Sequence, residues 1–243
     1  MKRAIPSAVT LLVVLCGLLA ILWADASVYR ACLALIAAAV FDTLDGRLAR
    51  ALGAQTALGA QLDSLADAVA FGVAPAVLAY TWAPKLAEVA LGIDVVGIGS
   101  FAFIACAVVR LARFNLDDDA VISRFHGMPT PAAALWVTTW IMMSTELGID
   151  GLHSAPLVLA LLLAGACLMV AAIPFPSLKS PGSAWGSGLF LASMGGGLLL
   201  LVFEQPGGTV LFGLLVLYIG RSVIGRAGDS RGESIRNAAT GEN

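Results

Sequence analysis

Charged side chains are scarce in this 243-residue chain. The 14 Lys and Arg and 16 Asp and Glu make up 12% of it, about half the share of a soluble domain. With 59% hydrophobic residues and a mean hydropathy of +0.92, an ordinary water-soluble globule is excluded. No block of basic residues is present, so the electrostatic footprint of a nucleic-acid binder is missing. Cys16, Cys32, Cys106 and Cys167 form no C-x-x-C pair and lie scattered in apolar segments. They read as small core residues, not as a disulfide or zinc framework.

What is present is a series of weakly charged stretches of about 17–25 residues, the length that crosses a bilayer core of roughly 30 Å. The expected fold class is all-α, a polytopic membrane helix bundle. About eight spans can be placed, at 8–24, 31–52, 58–82, 89–114, 130–147, 155–173, 184–203 and 209–224. Gly and Pro punctuate the short connections, as in Gly127-Met128-Pro129 and Pro174-Phe175-Pro176. Ala24-Asp25-Ala26 resembles a signal cleavage site, but the run before it is long and more spans follow directly. The first segment therefore reads as a retained transmembrane helix.

Basic residues set the orientation. With the N-terminus in the cytoplasm, Lys2, Arg3, Arg47, Arg50, Arg110, Arg113, Arg124, Lys179, Arg221, Arg226, Arg231 and Arg236 all fall on that side, and only Arg30 and Lys85 fall outside. The bias follows the positive-inside rule and places both termini in the cytoplasm. Trp23 and Trp82 are expected in the interfacial aromatic belt.

Against this apolar background, residues 38–72 carry Asp42, Asp45, Asp63 and Asp67 together with Arg47 and Arg50. Each aspartate at a membrane-helix centre costs roughly 2.5–3.5 kcal/mol, so the group needs compensation. Spans two and three form an antiparallel hairpin turning near Gly53–Thr56. Asp45 and Asp63 are each nine residues from Ala54, which puts them at a similar depth of about 13 Å from the turn. Asp42 and Asp45 share a face at i, i+3, and Asp63 and Asp67 at i, i+4. Ala49, Gly53, Gly59 and Ala66 are small enough for two helices to approach closely.

Three chemistries suit four such carboxylates. An ion-pair network would need more than two arginines to balance them. A cation or proton pathway would step through the membrane, whereas these aspartates cluster in one hairpin. A site for two divalent ions, Mg²⁺ or Mn²⁺, suits hard carboxylate oxygens completed by substrate phosphates. Paired metals are a device for phosphoryl displacement. Gly46 would let a phosphate approach the backbone, and Arg50 could fork two of its oxygens.

The stretch reads D-x-x-D-G-x-x-A-R-x8-G-x-x-x-D-x-x-x-D, filled by Asp42, Asp45, Gly46, Ala49, Arg50, Gly59, Asp63 and Asp67. Every fixed position and both gaps resemble the signature of the CDP-alcohol phosphatidyltransferases. The resemblance implies a six-helix catalytic core over about 8–174 with a C-terminal pair of helices appended. It implies an integral membrane domain over 1–225 with a catalytic hairpin at 31–82, while the polar, small-residue-rich composition of 226–243 reads as a disordered cytoplasmic tail. It further implies transfer of a phosphatidyl group from CDP-diacylglycerol to an alcohol, with release of CMP. On that resemblance Asp42 and Asp63 bridge two metals, Asp45 holds one, and Asp67 holds the other and acts as the base. Gly46, Ala49, Arg50, Thr56 and Gly59 fall where the family meets the CDP-lipid. A homodimer in the cell membrane, with its active site toward the cytoplasm, is also implied.

Flanking words narrow the acceptor. "QLDSLADAVAFGVAPA" from Gln61, "RLARFN" from Arg110, "GMPTPAAA" from Gly127 and "PFPSLKS" from Pro174 resemble the integral-membrane phosphatidylserine synthases. Ala68 follows Asp67, where the phosphatidylglycerophosphate synthases typically carry lysine. The first helix departs from the family in lacking asparagines near Ser7 and Val14. The implied acceptor is L-serine; sibling enzymes use glycerol 3-phosphate, inositol phosphate or another alcohol. Serine brings an ammonium and a carboxylate, and Arg110, Arg113, Asn115, Arg124 and Lys179 are candidates to meet it. Arg110 and Arg113, at i, i+3, are the favoured pair. No role is expected for His126 or His153.

Overall fold

In the computed structural model, residues 4–85, 94–116, 127–171 and 207–220 are described, and all the regular structure among them is helical. The first apolar run forms α1, Ala4–Trp23. Ser27 opens α2, Val28–Ala51, by accepting the Arg30 N–H with its hydroxyl. The end of α2 is set by Gly53, whose φ of +58° is the left-handed conformation that glycine adopts without strain. Gly53 N–H donates to Arg50 O at 3.2 Å and Ala54 N–H to Ala49 O at 2.9 Å. That is the Schellman pattern, and it reverses the chain within a few residues.

Thr56 then caps α3, Ala57–Asp67, with its hydroxyl accepting Gly59 N–H at 3.0 Å. The helix does not continue as a plain α-helix. Ala68–Val73 is a π-helical segment, with Ala74 N–H donating to Val69 O, before α4 resumes over Ala74–Trp82. Pro75 supplies the reason. It has no N–H for the helical ladder, and its ring crowds the carbonyl four residues back. A wider turn just ahead of it relieves that crowding, and π-bulges of this kind favour functional sites. The extra residue rotates α3 by about 100° relative to α4, compared with an unbroken helix.

Asp94 caps α5, Val95–Leu116, accepting Gly97 N–H at 2.9 Å. Next come α6, Thr130–Leu147, stopped by left-handed Gly148, and α7, Ala155–Val170. The last described helix, α8, spans Gly207–Gly220. Pro6–Trp23, Ala57–Trp82 and Val95–Leu116 are long and apolar enough to cross a membrane. α2 has the length, at 24 residues, but carries Arg30, Asp42, Asp45, Arg47 and Arg50. The expected span at 184–203 and the tail at 226–243 lie outside the described residues.

The rod from α3 to α4 is central and packs on α1, α2, α5 and α6. Its buried face is mostly alanine, at Ala66, Ala70, Ala74, Ala76 and Ala79, so neighbouring backbones come near. Gly17 of α1 uses this: a Cβ there would lie 2.8 Å from Ala70 Cα. One expectation is corrected. α2 and α3 do not pack closely against each other; each packs instead on α1. Ala49 and Gly59 therefore line an opening between the helices and do not mediate a close contact.

Gly17→Ala tests the role of α1. The added methyl meets backbone, which cannot yield by rotamer change, so overpacking should cost about 1–3 kcal/mol. The variant should melt below wild type in detergent. An unchanged melting temperature would mean that α1 is not seated on the rod as described.

Candidate functional site

Near the turn between α2 and α3, the helices α1, α2 and α3 surround one pocket. Pro6, Ser7 and Thr10 of α1 form one wall, Asp45, Gly46, Ala49 and Arg50 of α2 the second, and Thr56, Gly59, Ala60 and Asp63 the third. All five residues expected at the CDP-lipid, Gly46, Ala49, Arg50, Thr56 and Gly59, line it. Two of them shape it by packing. A Cβ on Gly59 would sit 3.0 Å from Thr56 Oγ1, the oxygen that caps α3. A Cβ on Gly46 would stand 3.6 Å from Arg50 Nη1, an ordinary van der Waals contact that places the guanidinium over this glycine.

Asp45 and Asp63 line this pocket, and Asp63 joins it to a carboxylate cluster. One oxygen each of Asp42, Asp63 and Asp67 lies within 4.8 Å of the others. Asp45, 4% exposed, stands beside them on the pocket wall, facing Thr10 and Asp63. Asp67 feels Asp42, Asp63 and Asp45 as like charges and Arg110 as its positive neighbour. Arg47 and Arg50 are exposed, and Arg50 also lines the pocket.

Asp45 Oδ2 and Asp67 Oδ1 are buried and make no hydrogen bond. Buried polar atoms in proteins are nearly always paired, and an unpaired carboxylate oxygen is among the costliest exceptions. Hard oxygen donors converging in this way suit a divalent cation. The residues present fit such an ion.

Beyond Asp67 the site is bounded by α5 and α6. Arg110 Nη1 donates to Thr130 Oγ1 at 2.6 Å, while Arg110 Nε is buried without a partner. Arg110 and Arg113, the pair favoured for the acceptor, differ in exposure: Arg110 is partly buried and Arg113 exposed. The buried stripe of α5 runs through Ser100, Phe103, Ala107 and Leu111. At about 100° per residue Arg110 flanks that stripe and Arg113 is turned about 60° farther away; it is exposed. Asn115 is exposed too and accepts a hydrogen bond from Ser64 Oγ at 3.0 Å, tying α5 to α3 next to Asp63. Arg124 and Lys179 lie outside the described residues, as does His126. His153 packs its ring on Trp82 at 4.4 Å, far along the chain from the carboxylates.

Two contributors were not foreseen. Thr10 could have been noticed as a hydroxyl one turn after Pro6 in an apolar helix. Thr130 opens a helix whose start was foreseen, but nothing in the sequence pairs it with Arg110.

The sequence matches the CDP-alcohol phosphatidyltransferase family over residues 3–176. The chain belongs to that family. Among its relatives, the CDP-diacylglycerol–serine O-phosphatidyltransferase of Mycobacterium leprae is 42% identical over 153 residues, 60% of this chain and 49% of the relative. The Mycobacterium bovis protein of the same name is 39% identical over 186 residues, 73% of this chain and 63% of its own length. That of Helicobacter pylori strain 26695 is 31% identical over 207 residues, 83% of each chain. The chain thus spans about half to two thirds of the length of the mycobacterial relatives. Phosphatidyltransferases of this family use divalent metal, in agreement with the donor set. The pocket and all four aspartates lie inside the matched region; α8 lies beyond it.

Proposed function

We propose that the chain transfers the phosphatidyl group of CDP-diacylglycerol to L-serine, forming phosphatidylserine and releasing CMP. The observation that carries this reading is the cluster of Asp42, Asp63 and Asp67 joined, through Asp63, to the pocket that Asp45, Gly46, Arg50 and Gly59 line. The names of the relatives support serine as the acceptor.

In this reading Asp42, Asp45, Asp63 and Asp67 would hold two Mg²⁺ or Mn²⁺ ions, which when bound neutralise the pyrophosphate and the departing CMP. Arg50 grips a phosphate oxygen at the pocket mouth, and Gly46 and Gly59 keep the walls low enough for the nucleotide. Asp67 takes the proton from the serine hydroxyl at Oδ1, the oxygen that has no other hydrogen bond. The serine oxygen then bonds to the phosphatidyl phosphorus as the bond to the CMP oxygen breaks. Alignment accounts for much of the rate, because two reactants held in register avoid the entropy of meeting. Arg110, fixed by Thr130 beside Asp67, holds the serine carboxylate with a planar fork that lysine cannot reproduce.

The same reading places a multi-pass domain over 1–225 in the cell membrane, with about eight spans and both termini in the cytoplasm. The twelve-to-two distribution of basic residues supports it. The tail at 226–243 is a cytoplasmic extension, and the working unit is a homodimer.

The test is purified protein with CDP-diacylglycerol, Mn²⁺ or Mg²⁺, and a panel of alcohols, scored by CMP release. Serine should support release. Release with glycerol 3-phosphate or inositol phosphate but not serine would overturn the acceptor, and ion flux without CMP release would return a transport reading. A second measurement separates the arginines. Arg110→Lys should raise the serine KM roughly 10- to 150-fold, the loss of one charge-assisted contact. Arg113→Lys should leave it unchanged, and equal effects from both would remove Arg110 from the acceptor site.

A further inference from the structure

The hydrogen bond from Arg110 Nη1 to Thr130 Oγ1, at 2.6 Å, joins two residues that are both held in place by α7. Arg110 rides on α5, and α5 is seated on α7 through two glycines. A Cβ on Gly99 of α5 would lie 2.5 Å from Leu159 Cδ1, and a Cβ on Gly165 of α7 would lie 2.9 Å from Phe103 Cε2. Phe103 is fully buried. Glycine at such positions lets two membrane helices approach closely.

Thr130 is tied to the same helix from the other side. Met128 N–H donates to Leu168 O at 2.9 Å, in the last turn of α7. The last four carbonyls of a helix have no partner within it, and this turn satisfies one of them. Gly127 adopts a φ of +141°, which L side chains rarely reach, and a Cβ there would collide with Met169 O. Met128 and Thr130 are both fully buried. The segment 127–130 is therefore clamped on the end of α7, and α6 starts from that clamp at Thr130.

With both partners fixed by one helix, the guanidinium gains a defined plane at the end of a long, flexible stem. A guanidinium presents two forks, Nη1 with Nη2 and Nε with Nη2. Thr130 occupies Nη1, and Nε is buried without a partner among the described residues. Leaving a buried N–H of a charged group unpaired is costly. A planar anion bound side-on by Nε and Nη2 offsets that cost.

We infer that Thr130 is a positioning residue for Arg110, and that its clamp on α7 keeps the Nε edge of the guanidinium for the acceptor. The ligand class this edge takes is an alcohol bearing a carboxylate, or another planar anion with two oxygens. This rests on the acceptor reading proposed above, in which Arg110 holds the acceptor anion. What it adds is which edge does so and what holds that edge in place.

The experiment compares wild type, Thr130→Val, Thr130→Ser, Arg110→Lys and the double variant Thr130→Val with Arg110→Lys, as full-length protein in lipid nanodiscs with CDP-diacylglycerol and serine. Thr130→Val keeps the shape and removes the hydroxyl, and should raise the serine KM roughly three- to tenfold, the net worth of one hydrogen bond. Its kcat and its CDP-diacylglycerol KM should stay within about twofold, the signature of lost acceptor binding alone. Thr130→Ser keeps the hydroxyl and should hold the serine KM near that of wild type. In the Arg110→Lys background Thr130→Val should add nothing, because an ammonium has no edge to orient. Gly127→Ala, which pushes the turn off α7, should raise the serine KM in the same direction. An unchanged serine KM in Thr130→Val or in Gly127→Ala would overturn the inference. So would equal rises for serine and the CDP-lipid, full additivity with Arg110→Lys, or a Thr130→Ser variant as impaired as Thr130→Val. If Arg110→Lys itself leaves the serine KM unchanged, the acceptor reading fails and takes the inference with it. If wild type turns over only with another alcohol, the serine reading fails on that result alone. The same KM ratio, measured with that alcohol, then decides Thr130.

Discussion

Chelation by EDTA should bring CMP release to background, and Mg²⁺ or Mn²⁺ added back should restore it. Three carboxylate oxygens from Asp42, Asp63 and Asp67 within 4.8 Å of one another repel strongly if all are ionised. At an effective dielectric constant of about 20, each such pair is unfavourable by about 3–4 kcal/mol. Asp45 adds a fourth charge on the pocket wall, and Arg110 is the positive group facing Asp67. One guanidinium does not offset four carboxylates, whereas two divalent ions do. The same argument predicts a readout independent of turnover. Ligands that bind only the folded state stabilise it by mass action, about 2.7 kcal/mol at a hundredfold excess over Kd. Mn²⁺ should therefore raise the melting temperature of the detergent-solubilised protein, and EDTA should reverse the rise. Full turnover in metal-free buffer, or a melting temperature indifferent to metal, would sink the metal reading.

The legible parts of this molecule are those fixed by local chemistry. Thr130–Leu147 could be bounded from sequence because Pro131 begins it and Gly148 stops it, and both act within one turn. The α2–α3 reversal was legible for a similar reason, since Gly53 and Thr56 set a left-handed exit and a cap within four residues. The carboxylates were legible because charge in an apolar helix is costly enough to need a purpose.

Other features depend on tertiary packing. The hairpin pattern suggested that α2 and α3 touch, but small residues permit close approach without choosing the partner. Here Gly17 brings α1 against Ala70, and the opening between α2 and α3 becomes the pocket. Pro75 was visible inside a helical run, yet its answer, a π turn immediately after Asp67, is chosen by the surrounding helices. Spacing of i, i+3 set Arg110 beside Arg113 on a helical wheel. The 60° between them is enough to turn one inward and leave the other exposed. Arg110 meets Thr130 across 20 positions of sequence, a distance over which periodicity carries no information.

Asp67→Asn should lower kcat by roughly 10²–10⁴-fold, the usual contribution of a general base, while CDP-diacylglycerol still binds. Asp67 ends α3 where the π segment begins, so its side chain is presented by a local feature of the rod that asparagine does not disturb. The substitution keeps the shape and removes one charge from a cluster of like charges, so the fold should be no less stable than wild type. What is lost is the oxygen that accepts the acceptor's proton. A hydroxyl is a weak nucleophile, and without a base beside it the attack loses its proton acceptor. One amide also replaces one carboxylate ligand, so the metal concentration for half-activation should rise. Turnover must accordingly be compared at saturating metal, alongside an equilibrium binding measurement for the CDP-lipid and a melting curve. Loss of kcat with lipid binding and melting temperature preserved is the expected result. Near-normal kcat at saturating metal would deny Asp67 the proton, and Asp45, whose Oδ2 is also buried without a hydrogen bond, would be the next carboxylate to test.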